Sequence, residues 1–175
     1  MATNQIFGLL IRYVGLLLLQ VFIIGKLHIH PFVQPNILIL FFLMLPVDLK
    51  PGATLLLGFL GGLLLDVFSD SAGFNSTAVL VMMFARIYYV RAFASIDIQE
   101  AGVRPNIGNT GYRWYIFYSA SMVLVYHLVY SFIESFRVVY FLSNIASAIM
   151  SAAVSLALIF LFQLLFFRTR KGERV

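Results

Sequence analysis

Residues 140–167 form one long run without a charged side chain, between Arg137 and Arg168. As a helix the run exceeds the roughly 20 residues, or about 30 Å, needed to cross the hydrocarbon core of a bilayer. Lipid offers no partners to backbone N–H and C=O groups, so a run of this kind is driven to close its own hydrogen bonds as a helix. Similar runs occupy 6–25, 32–47, 53–69, 75–93 and 114–133. The run at 32–47 is shorter than a span requires, and Pro31, Pro35 and Pro46 bracket it. It is expected to cross as a short or bent helix with protein around its ends, or to be re-entrant. The fold class read from this pattern is an all-α integral membrane protein. It is a compact bundle of six transmembrane helices forming a single domain over 1–175.

Composition leaves no room for a soluble domain. The chain is 62% hydrophobic and 11% charged, too little polar surface to face water. The longest polar interval is 91–113. No cysteine is present, so thiol and disulfide chemistry are excluded. The net charge of +5 lies at span ends rather than on one basic face, which argues against nucleic acid. With six spans and both termini cytoplasmic, Lys50, Arg91, Arg104, Arg113 and the basic tail at Arg168, Arg170, Lys171 and Arg174 fall inside. Lys26 and Arg137 fall outside, and Arg12 and Arg86 lie within spans. If the second run does not cross, the N-terminus moves outside and the charge count still obeys the rule. In both arrangements the 91–113 loop and the tail are cytoplasmic. No small-residue cleavage site follows the first run, which is expected to be retained.

The stretch "GFLGGLLLDVFSDSAGFNS", residues 58–76, carries glycines and an acid inside an apolar run. Gly58, Gly62 and Asp66 recur every four residues and share one helix face. Gly58 and Gly62 make a GxxxG seam for close approach of another helix, and Asp66 extends it toward the outer interface. Gly73 suits a positive φ in the turn that follows, and Asn75 or Ser76 can cap the next helix. Asp66 reads either as an interfacial acid or as a carboxylate with a partner, Arg86 being one candidate. His127 and Glu134 lie seven residues apart on the fifth helix, as a contact to another helix, a proton relay, or an interior histidine beside an interfacial acid. Ser143, Ser147, Ser151 and Ser155, flanked by Ala148 and Ala152, form a small-residue stripe on the last helix. That stripe suits close contact within the chain or with a partner helix, so Ser151→Leu is expected to weaken partner binding and leave the isolated protein folded.

Catalytic and cofactor signals are missing. There is no GxxxxGK[ST], HExxH or GxSxG, and neither Asp66 nor Asp70 has a neighbour that would tune it as acid or base. His28 and His30 lack a third ligand for a metal. No enzyme activity, metal or cofactor is expected.

The string Gly58-Phe59-x-x-Gly62-Leu63-x-x-Asp66, followed by Gly73 and an apolar helix, resembles the central signature of the MreD family of rod shape-determining membrane proteins. The preceding "PNILILFFLMLPVDLKPG" is similar to that family's short second segment. The later "GYRWYIFYSASMVLVYHLVYSFIESF" resembles the fifth helix of Bacteroidetes-type members, with an aromatic start and a His then Glu pair. The likeness implies a bundle similar to the substrate-binding components of energy-coupling-factor transporters. It also implies a non-enzymatic scaffold in the bacterial cytoplasmic membrane, a subunit of the rod complex that directs peptidoglycan synthesis and cell shape. Such a subunit binds MreC, a single-span protein, and through it associates with the RodA glycosyltransferase and a class B transpeptidase. The alternative is a small-molecule capture subunit of a membrane transporter. That alternative needs a polar cavity built by His28, His30, Gln34, Asp70, Asn75, Glu134 and Arg137.

Overall fold

The computed structural model describes residues 3–26, 33–95, 98, 102–135 and 141–166. The described chain is helical, in the order α1 (Thr3–Phe22), α2 (Ile39–Leu43), α3 (Pro51–Ser69), α4 (Phe74–Phe93), α5 (Ile107–Thr110), α6 (Tyr112–Ser135) and α7 (Phe141–Phe166). Five helices are long and apolar enough to cross a membrane, namely α1, α3, α4, α6 and α7. The main interfaces pair α3 with α4, α4 with α6, and α6 with α7. Their outer faces carry large exposed apolar side chains, such as Phe59, Leu63 and Val67 on α3 and Leu161 and Leu164 on α7. A surface of that kind suits lipid rather than water.

The helix ends follow local chemistry. Pro51 opens α3 at a position where its missing N–H costs nothing. The same helix ends at Asp70, whose φ of 52° is left-handed and whose N–H returns to the Asp66 carbonyl. Gly73, with φ 87°, turns the chain into α4, as its lack of a Cβ permits.

The run at 32–47 departs from the six-helix expectation. Among its described residues the only helix is the five-residue α2, and the segment from 33 to 47 threads the middle of the bundle. Leu38, Ile39, Leu40, Phe42, Leu43 and Leu45 are all 1% exposed or less. The Gln34 side chain donates to Glu134, near the C-terminal end of α6, at 2.7 Å. The Val47 amide donates to the Val103 carbonyl, before the start of that helix, at 3.2 Å. The segment therefore traverses the bundle from one end to the other. Pro35 and Pro46 deny it two backbone donors, and the remaining polar groups must be satisfied by surrounding side chains.

They are. Gln20 of α1 donates to the Pro35 carbonyl at 3.0 Å and accepts from the Ile37 amide at 2.8 Å. Ser151 and Ser155 of α7 accept from the Gln34 and Asn36 amides at 3.0 and 2.9 Å. Tyr118 of α6 donates to the Leu43 carbonyl at 3.1 Å. Arg86 of α4 donates through Nη2 to the Leu45 carbonyl and through Nε to the Tyr118 hydroxyl. Outside the segment, Tyr13 of α1 donates to the Gly61 carbonyl of α3 at 2.6 Å and ties α1 to α3.

Candidate functional site

The glycine seam of α3 is internal. A Cβ built on Gly62 would stand 2.5 Å from the Ser76 Cα, and one on Gly58 would stand 2.7 Å from the Met83 Cγ, both on α4. Gly61 faces Phe42 of the threaded segment and Tyr13. Phe59 points outward, part of the exposed apolar surface.

Close approach at Gly62 delivers the start of α4 to Asp66. The carboxylate, 4% exposed, accepts from the amides of Asn75 and Ser76 at 2.9 and 2.8 Å and from the Ser71 hydroxyl. Asp66 is thus the cap of α4, placed from the preceding helix rather than from the flanking turn. The amides of the first helical turn have no partners within the helix, and its dipole favours a negative charge there. Asn75 and Ser76 are therefore donors to the cap; the residue at the N-cap position is Gly73. The candidate pairing of Asp66 with Arg86 is not formed. Arg86 reaches instead toward the Leu45 and Pro46 carbonyls and Tyr118.

From Asp66 a chain of buried hydrogen bonds crosses the bundle. Asn36 Nδ2 donates to the Tyr126 hydroxyl at 2.7 Å, and that hydroxyl donates to Asn75 Oδ1. Asn75 Nδ2 donates to Ser71 at 2.9 Å, and Ser71 donates to Asp66. Every link points toward the carboxylate, so the dipoles reinforce one another and the anion. Asn36 also accepts from the Leu38 amide at 2.9 Å. Its own amide reaches Ser155, which lies 2.8 Å from His127 Nε2. Four helices and the threaded segment thus share one network.

Chemically this network holds rather than transfers. A proton relay needs groups that can gain and lose a proton in turn, and the two carboxamides, Asn36 and Asn75, do neither at ordinary pH. His127 and Glu134 do not meet; the histidine is bound to Ser155 and the exposed glutamate to Gln34. No group of three or more His, Cys, Asp or Glu gathers as a metal site among the described residues. His28, His30, Arg137 and the basic tail lie outside the described residues.

The serine stripe divides. Ser143 is exposed and Ser147 half-buried, whereas Ser151 and Ser155 are buried against the threaded segment. The expectation that the Ser151 face is available to a partner is therefore overturned, because its hydroxyl already accepts from Gln34. Ser151→Leu should destabilise the isolated protein in detergent, by about 2 kcal/mol, through overpacking and an orphaned amide. Ser151→Ala should cost about 1 kcal/mol. Unchanged thermal unfolding of the leucine variant would place the position on the lipid surface.

Sequence reasoning did not single out Gln20, Ser71, Tyr118 or Tyr126. Gln20 had a usable signal, as a polar side chain inside the uncharged apolar run of residues 13–25 that must find an interior partner. The two ends of the bundle differ in charge. Lys50, Arg91, Arg104 and Arg113 outnumber Asp48 at one, and Asp66, Asp70 and Glu134 outnumber Lys26 at the other. Arg104 is held below its usual range first by burial and then by the charge of Arg12. No known family, curated protein or solved structure matches this chain.

Proposed function

We propose that this chain is a non-enzymatic scaffold subunit of a bacterial cell-wall elongation complex, similar to MreD. The observation that carries the reading is the filled interior. The chain's own residues 36–45 occupy the centre of the bundle and are held there by side chains from its neighbours. A capture subunit would keep that space for its ligand. The basic end faces the cytoplasm by the positive-inside rule, the threaded segment counts as a crossing, and both termini are cytoplasmic. The partner is a single-span, MreC-like protein, with a RodA-type glycosyltransferase and a class B transpeptidase reached through it.

Both small-residue seams are used internally at Gly58, Gly62, Ser151 and Ser155, so the interface lies elsewhere. The outer face of α7 offers Ser143, Ala146, Ala153 and Ala157, all exposed and aligned at helical spacing. Small residues let a second helix backbone approach closely. In coexpression with an MreC-like protein, Ala153→Trp should lower recovery of the partner roughly tenfold. Its unfolding temperature in isolation should match the parent's. Failure of the parent protein to capture that partner would overturn the reading. So would a specific small molecule retained at the Glu134 end after purification.

A further inference from the structure

We propose that the cleft between the start of α3 and the end of α4 binds a phosphate group. The cleft has a volume of about 160 Å³, and its lining includes Val47, Pro51, Thr54, Arg86 and Arg91. Two of those side chains are almost wholly buried yet incompletely used. Arg86, 3% exposed, engages Tyr118 through Nε and the Leu45 and Pro46 carbonyls through Nη2. All three partners are neutral, and Nη1 makes no hydrogen bond among the described residues. Thr54 is 1% exposed, and its hydroxyl likewise has no partner among them. Gln163 Oε1 is the sole sealed side-chain polar atom without a partner among the described residues. The unused atoms of Arg86 and Thr54 are therefore not sealed in protein; the cleft they line is where they open.

The surroundings favour an anion. A buried guanidinium with neutral partners leaves its charge uncompensated, which is costly in a medium of low dielectric. Arg91 adds a second cation at the rim. The first turn of α3 has no side-chain cap, so its free amides and positive dipole end add to the field. Asp48, the nearest acid in sequence, packs against Gly102 and does not line the cleft. Two guanidinium groups, a hydroxyl donor and a helix N-terminus suit the several acceptor oxygens of a phosphate. The cleft lies at the basic end, between the start of one apolar helix and the end of the next, so the phosphate comes either from a phospholipid headgroup or from solution.

The test is thermal unfolding of the full chain in a zwitterionic non-phosphate detergent. It compares added phosphatidylglycerol, inorganic phosphate, diacylglycerol and sodium chloride at matched ionic strength. Ligand well above its Kd should raise the unfolding temperature by roughly 5 °C. Diacylglycerol and chloride should not. Arg91→Gln, a change at an exposed position, and the isosteric Thr54→Val should each abolish most of the rise. A rise with phosphatidylglycerol but not with phosphate assigns a lipid headgroup, and a rise with inorganic phosphate assigns a soluble ligand. No rise with either, or an undiminished rise in both variants, overturns the proposal.

Discussion

Leucine at position 62 should abolish most of the folded yield and lower stability by about 3 kcal/mol or more. The steric reason is the neighbour. The atoms that a side chain would meet are the Ser76 Cα at 2.5 Å and the Ser76 nitrogen at 3.0 Å, backbone that has no rotamer to change. Separating α4 from α3 to make room also pulls the Ser76 amide off Asp66, 2.8 Å away in the native fold. One substitution thus removes a packing seam and a helix cap together. Gly58→Ala is the internal comparison, since its Cβ would meet the Met83 side chain at 2.7 Å. Methionine can adapt, so that change should cost about 1 kcal/mol. Monodisperse recovery and thermal unfolding in detergent measure both. Equal losses in the two variants would mean that the Ser76 backbone is not the obstacle.

Arg86→Met should cost about 3 kcal/mol or more, because it strands acceptors instead of replacing them. The Leu45 carbonyl loses its charged donor and Tyr118 loses the Nε contact, while methionine fills much of the volume. Arg86→Lys should recover little. An ammonium cannot serve the phenol and the carbonyl from the fixed fork that Nε and Nη2 provide. The distinguishing measurement is amide hydrogen exchange across residues 43–49. It should accelerate in both variants well before global unfolding, as expected when one segment loses its anchor. Exchange confined to the global rate would show that the clamp is not local.

The five long helices were legible in the sequence from length and hydropathy, and the left-handed turn at Gly73 from the missing Cβ of glycine. So was the α3 seam, because Gly58 and Gly62 recur at a spacing that suits close approach of another helix. The partner of Asp66 was hidden, since it caps amides nine and ten residues ahead through a tertiary contact. Local capping rules reach only two or three residues. The acceptors of Arg86 were hidden for a related reason. A cation in a span invites a search for an acid, yet its acceptors are carbonyls freed by a segment that does not close its own helix. The prolines at 35 and 46, read together with Gln20 and Arg86, carry that information. Polar side chains deep in apolar helices, without acids to match, imply unpaired backbone nearby.

The threaded segment also fixes an order of assembly. Residues 34 and 36 leave the ribosome early, but the hydroxyls their amides need belong to Ser151 and Ser155, which follow by 117 and 119 residues. A growing chain therefore carries a stretch with open hydrogen-bonding groups until its last helix has been made, and lipid cannot hold those groups in the meantime. The first third of the protein completes its structure only when the final helix closes over it. Any truncation before α7 would present that stretch to quality-control proteases as unfinished.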